Sequence, residues 1–213
     1  APPPDVTVLR YERGIMGSEV QVLRLVAEQT SVPAPEVYYY DQRHTLLDSD
    51  YYLMAFVPGE AYHKLREQYN EEQRTSIDAA IGAYLAQINR LQGTYFGYMA
   101  LPGQRFSTWR QAFLGMLDDL LADGRDRQVA LPVDDAALRR AVEAVAPVLD
   151  EVQTPQLVHW DLWDGNIFVD PPSGRITGII DFERALWGDP LMEFQYRTLE
   201  VAPAFRLGYG RSL

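Results

Sequence analysis

The spacing of hydrophobic and polar positions changes partway along the chain. Up to about residue 59, apolar, β-branched and aromatic residues come in short runs at residues 6–10, 37–40 and 51–57. The first run ends at Arg10, a polar turn around Asp48 and Asp50 separates the other two, and Pro58 and Gly59 close the last. This predicts three short strands, the second and third belonging to one small sheet. Between the first and second runs, Ser18 and Gln21 have the spacing of a capping box, and Val22, Leu23 and Val26 follow at helical intervals until Pro33 and Pro35. A helix of about three turns is expected there.

Beyond Gly59 the period lengthens. Ile77, Ile81, Tyr84, Leu85, Ile88 and Leu91 recur every three or four residues, the stripe of an amphipathic helix. Trp109, Phe113, Leu117 and Leu120 form a second stripe behind the start signal Ser107-Thr108, and Leu138, Val142, Val145 and Leu149 a third that Pro147 should bend or break. Residues 167–170 and 175–180 are strand-like again, with four turn formers between them, so they should close as a hairpin. The pattern is that of an α+β chain with a small strand-rich part at 1–57 and a larger, mainly helical part at 58–213.

Composition narrows the chemistry. The 213 residues are 47% hydrophobic and 23% charged, which is ordinary for a folded domain and excludes a disordered one. A formal net charge of -11 has the wrong sign for a general phosphate-backbone binder, so nucleic acid is not an expected partner. Without cysteine there is no disulfide, thiolate metal site or cysteine nucleophile. No apolar run approaches the roughly 18 residues of a membrane span, and residues 1–4 lack the features of a signal peptide, so the expected location is cytoplasmic.

The chemistry concentrates between His159 and Glu183. Pairing Asp170 with Arg175 makes hairpin partners sum to 345, which sets Asn166 opposite Ile179 and brings Asp181 back beside the loop carrying Asp161. Three oxygen-bearing side chains then converge at one end of the hairpin. Such a set suits a hard cation, because magnesium takes oxygen ligands and is commonly shared with substrate phosphates. Asn166 and Asp181 would be the protein's share, leaving Asp161 to accept a proton from an attacking hydroxyl.

His159, Asp161 and Asn166, followed by Asp181, Phe182 and Glu183, resemble the catalytic loop and metal-binding triplet of protein-kinase-like phosphotransferases. The fuller runs 157–170 and 179–190 resemble the aminoglycoside phosphotransferase family. The resemblance implies a two-lobed fold with a β-rich N-lobe, magnesium, and ATP or GTP as phosphate donor. It makes Asp161 the catalytic base and Asn166 and Asp181 the magnesium ligands, with His159 supporting the loop. It also places Arg10 where such kinases keep the strand lysine that grips the phosphates, Glu19 where a helix supplies its ion-pair partner, and the backbone at Ala55 to Val57 where adenine binds. Glu19 shares a helix face with Leu23 and Val26 and should need a cationic partner.

A protein substrate is a poor fit. Only residues 183–188 separate Asp181 and Phe182 from Asp189, too few for a regulated activation loop, and Trp160 precedes Asp161 where protein kinases usually carry arginine. The expected acceptor is a small hydroxyl compound, for which the family resemblance suggests an aminoglycoside or related amine-bearing molecule and a link to antibiotic resistance. The acid excess at Asp118, Asp119, Asp123, Glu193 and Glu200 fits a cationic acceptor. The alternatives are a kinase of another small metabolite, a nucleotide-binding pseudokinase, or a metal-dependent hydrolase using Asp161, Asp164, Asn166 and Asp181. The resemblance further implies a glycine-rich hairpin ahead of Val6 and helices after Leu213, so the expectation is an active kinase whose flanking segments lie outside this sequence. Asp189 should cap a helix from Pro190, Asn89 should be a packing or surface residue, Gly208 to Gly210 a loop, and His44 and His63 surface residues.

Overall fold

The computed structural model describes residues 8–195 and 203–210. Helix α1 (Ile15–Gln29) precedes strands β1 (Val37–Asp41) and β2 (Tyr51–Met54), which pair antiparallel. A short strand β3 (Glu60–Ala61) leads into α2 (Tyr62–Leu65) and the long helix α3 (Glu71–Ile88). Strand β4 (Gly97–Tyr98), helices α4 (Trp109–Asp126) and α5 (Asp135–Val145), and strands β5 (Gln156–Val158), β6 (Ile167–Val169), β7 (Ile176–Ile179) and β8 (Leu186–Gly188) follow, with α6 (Pro203–Tyr209) behind them. Two further sheets are built from these strands, in the orders β3-β6-β7 and β4-β8-β5.

The long helices begin and end where their side chains allow. Asn70 caps α3 by accepting from the amide of Gln73, Thr108 caps α4 through Gln111, and Asp134 caps α5 through Ala137. Helix α5 gives way at Val145 to a 3₁₀ turn over Ala146–Glu151, the break expected at Pro147. One hydrophobic core joins Leu23 and Val26 of α1 to Ile81 and Leu85 of α3, Ile167 and Ile179 of the hairpin, and Phe205 of α6. The early helix therefore shares its core with the later, helical part of the chain.

Three expectations are corrected. Val6 and Thr7 lie outside the described residues, but Val8 to Arg10 form no strand. The amide of Leu9 donates to the Glu12 carboxylate and that of Arg10 to Asp123, so the segment turns as a 3₁₀ helix over Arg10–Glu12 instead of joining a ladder. Helix α1 starts at Ile15 behind Gly14, which takes φ +71°, so Ser18 is buried inside the helix and caps nothing. Gly208 and Tyr209 belong to α6 and not to a loop. A Cβ on Gly208 would meet the carbonyl of Ala79 at 1.9 Å, and one on Gly82 that of Phe205 at 2.1 Å. The glycines let α3 and α6 approach closely, which outweighs their poor helix propensity of about 1 kcal/mol each.

Candidate active site

The site is assembled by the β6-β7 hairpin. Asp170 donates its amide to the Arg175 carbonyl at 2.9 Å, and Gly174 takes φ +68° to close the turn. Val169 pairs with Ile176, the register summing to 345, but an irregularity between Phe168 and Val169 shifts the rest to 346, so Ile167 faces Ile179. Asn166 consequently faces Ile180, whose amide donates to the Asn166 carbonyl at 3.0 Å. Asp181 arrives next to Asn166: the asparagine Nδ2 donates to Asp181 Oδ2 at 3.2 Å and to the backbone carbonyl of Asp161 at 2.9 Å. One buried amide therefore ties together the two carboxylate-bearing segments.

The loop leaving β5 is held from behind. His159 is fully buried, and its Nε2 lies 3.0 Å from the Ile180 carbonyl, while the Asp161 amide donates to its Nδ1 at 3.2 Å. A carbonyl can only accept, so Nε2 carries the proton and the ring is neutral. Burial reinforces this by lowering the His159 pKa to about 4. The Glu193 carboxylate accepts the amides of His159 at 2.6 Å and Trp160 at 3.1 Å, and Asn89 joins it to the Leu157 carbonyl. Tyr209 donates to Asn89 from α6. Trp160 at φ +60° and Asp181 at φ +69° both adopt the left-handed region, uncommon for residues with a Cβ and costing about 1–3 kcal/mol each. The surrounding hydrogen bonds hold that backbone, and Asp181 lies close enough to Asp161 to feel its charge.

Carboxylates crowd this end of the hairpin. Asp181 has a raised pKa, from burial first and the charge of Asp161 second. Glu183 is raised by burial and then by Asp181. Burial also pushes Glu19 up to about 7, against hydrogen bonds from Tyr52 and the Phe182 amide. The Arg184 Nη1 lies 3.8 Å from Asp161 Oδ2. No group of three or more His, Asp or Glu side chains among the described residues forms a metal cage. The donor set of Asn166 and Asp181 nevertheless fits magnesium, which takes few protein oxygens when phosphates and water complete its shell. A cation there would favour the charged form of Asp181, which burial first and the charge of Asp161 second disfavour.

His159, Asp161, Asn166 and Asp181 are thus brought together, with Glu19 nearby. Arg10 is not among them. Its guanidinium bonds to Asp123 and Asp126 of α4, so the expected Arg10–Glu19 pair does not form. Ala55 donates its amide to the Glu36 carbonyl at 2.8 Å, and Val57 packs over Gly178. Asp189 accepts from the Leu191 amide at 2.9 Å and starts a 3₁₀ turn from Pro190, as expected. Glu193, expected among the acids that favour a cationic acceptor, and Asn89, expected as a packing or surface residue, instead brace the loop that carries Asp161. Glu193 reaches His159 from 34 residues away and Asn89 reaches Leu157 from 68, so no local spacing marks either.

The fold and site define a protein-kinase-like phosphotransferase architecture. The phosphotransferase enzyme family model, APH, matches residues 9–211, and the chain belongs to this family. Its fold is similar to ADP-bound aminoglycoside phosphotransferase APH(2'')-Ib, with a TM-score of 0.65 and 18% identity over 93% of this chain and 67% of that one. It is also similar to a thermostable mutant of APH(4)-Ia in complex with ADP and hygromycin B, with a TM-score of 0.62 and 22% identity over 89% of this chain and 64% of that one. Among curated proteins, it is 25% identical over 189 residues to the probable acyl-CoA dehydrogenase IBR3 of Arabidopsis thaliana and 22% identical over 188 residues to acyl-CoA dehydrogenase family member 10 of Mus musculus. These matches cover 85% of this chain but only 22% and 16% of the two relatives.

Proposed function

We propose that the chain transfers the γ-phosphate of a nucleoside triphosphate to a hydroxyl of a small molecule. The observation that carries this reading is the convergence of Asp161, Asn166 and Asp181 around a single buried amide. Asp161 accepts the proton of the acceptor hydroxyl as its oxygen bonds to the γ-phosphorus, and the bridging oxygen leaves with the nucleoside diphosphate. Asn166 and Asp181 would hold magnesium, which neutralises charge on the phosphates. Neutral His159 and Glu193 fix the loop so that Asp161 faces the acceptor. The backbone from Ala55 to Val57 would receive the adenine, and Glu19, bonded to the Phe182 amide, would steady the segment carrying Asp181.

The acceptor is a small hydroxyl compound. Support for an amine-bearing one comes from the family, from solved relatives in complex with streptomycin, gentamicin and hygromycin B, and from the net charge. The individual acids support it less. Asp118 pairs with Arg139, Asp123 with Arg10, and Glu193 with backbone amides, while Glu200 lies outside the described residues. Asp119 accepts from Gln104 at 2.7 Å.

The test is nucleotide consumption by the full-length protein with and without a panel of hydroxyl acceptors. Asp161→Asn should lower acceptor-dependent turnover about 10²- to 10⁴-fold while nucleotide affinity stays within a few-fold. Turnover near the wild-type level in that variant would remove Asp161 from its role. Nucleotide binding without turnover of any acceptor would favour the pseudokinase reading.

A further inference from the structure

We propose that the acceptor carries an apolar body, a short alkyl chain or one aromatic ring, seated in a pocket beside Asp161. This inference rests on the kinase reading and names the substrate class for the same site. The pocket has a volume of about 200 Å³ and is walled by Tyr11, Tyr98, Phe113, Met116, Trp160 and Met192. An apolar cavity of roughly 150 Å³ is large enough for benzene, so the room is sufficient. Its aromatic wall is continuous: the Tyr11 ring stacks on Tyr98 at 5.7 Å, and Trp160 stands 5.5 Å from Tyr98 and 6.2 Å from Tyr11.

The pocket is tied to the reacting end of the site through two connections. Trp160 is the residue immediately before Asp161, and its left-handed backbone belongs to the same held loop. Arg184 lies with its guanidinium carbon 5.7 Å from the centre of the Tyr11 ring and its Nη1 3.8 Å from Asp161 Oδ2. A molecule filling the pocket therefore borders Trp160 of the held loop and the Tyr11 ring against which Arg184 stands. Polar lining is confined to Asp119 and Asp123, and Asp123 is engaged by Arg10. A polycation with hydroxyls on every side would strand most of its polar groups against these rings, at a cost for each unsatisfied group. A hydroxyl compound with one apolar end pairs its hydroxyl with Asp161 and buries the remainder.

The experiment titrates the full-length protein with alkane-1,2-diols of four to ten carbons, with kanamycin as the polycationic arm. Affinity for the diols should rise about fourfold per methylene until the pocket is full, the equivalent of about 0.8 kcal/mol per buried CH₂. Met116→Trp, which fills the pocket, should abolish the chain-length dependence, and Met116→Leu, which conserves volume, should keep it. A flat diol series, or one that persists in Met116→Trp with an unchanged thermal midpoint, overturns the proposal, as does kanamycin binding that Met116→Trp weakens while the diols do not bind. Magnesium-dependent ATP binding is measured in parallel. If it is intact and the diol series is flat, the apolar pocket alone is rejected. If ATP does not bind, the kinase reading fails instead.

Discussion

The hairpin end of the site and the segment at Arg10–Glu12 border the same chemistry but are positioned by different means. At the hairpin, neighbouring strands set the geometry: β6 and β7 are joined by a short turn, and their register alone brings Asp181 to Asn166. At Arg10, position is set across the chain, by pairs to Asp123 and Asp126 more than a hundred residues away. Local pairing can be worked out from order and spacing along the sequence. A long-range ion pair depends on which carboxylate the fold brings close, and four acidic groups besides Glu19 stand within reach of this part of the molecule: Glu12, Asp123, Asp126 and Glu183.

The hairpin side of the comparison can be broken most severely at Asp181. If Asp181 is the charged member of the proposed two-residue donor set, Asp181→Ala should raise the magnesium concentration for half-maximal nucleotide binding by about 100-fold or more. Asn166→Ala should act in the same direction and more weakly, since a neutral amide is removed. A magnesium titration of nucleotide binding measures both, and coincident curves for wild type and Asp181→Ala would end the assignment of Asp181 as a ligand.

How much of this arrangement was legible follows the same division. The stripes of α3, α4 and α5, the break at Pro147, the β1-β2 pair and the hairpin were all readable, because each is fixed by residues a few positions apart. The hairpin register was off by one over Asn166, since a bulge between Phe168 and Val169 has no mark in residue type. Gly208 looked like a loop residue until the close approach of α3 gave its missing side chain a purpose. Ser18 looked like a cap until Gly14 supplied a left-handed start one turn earlier. Glu193 and Asn89 hold the loop carrying Asp161 from sequence distances of 34 and 68 residues, so no local pattern could have announced them.

Acid titration sharpens the comparison from the loop side. His159 is neutral in the fold, its pKa lowered to about 4 from the ordinary 6.5. Below 6.5 the unfolded chain takes up this proton and the folded one does not, so the contribution is fully present above pH 6.5 and is lost as pH falls toward 4. The difference of about 2.5 pKa units corresponds to about 3 kcal/mol. Burial raises Glu193, also fully buried, to about 7, so its contribution has the opposite sign and declines as pH rises from about 4.5 to 7. Denaturant unfolding of His159→Gln should therefore show stability improving relative to wild type as pH is lowered from 6.5 to 4. Parallel profiles for the two proteins would mean that His159 is not the group held neutral.

The smallest expected effect is the one that decides what Arg10 does. If Arg10 gripped phosphate, Arg10→Gln would raise the nucleotide KM by tenfold or more, the loss of a charge-assisted contact to a phosphate oxygen. The structure instead gives its guanidinium to Asp123 and Asp126 and places the adjoining Tyr11 against Tyr98 and Trp160, in the wall of the apolar pocket. Loosening that clamp should relax the wall and leave the nucleotide side untouched. Because the clamp reaches the acceptor only through the pocket wall, the expected change is a rise in acceptor KM of about fivefold at most, with the nucleotide KM unchanged. Arg10→Lys should recover part of the loss, since an ammonium reaches one of the two carboxylates but cannot span both as a guanidinium does. A nucleotide KM that rises while the acceptor KM stays constant would return Arg10 to the phosphates and make its pairing with α4 incidental to catalysis.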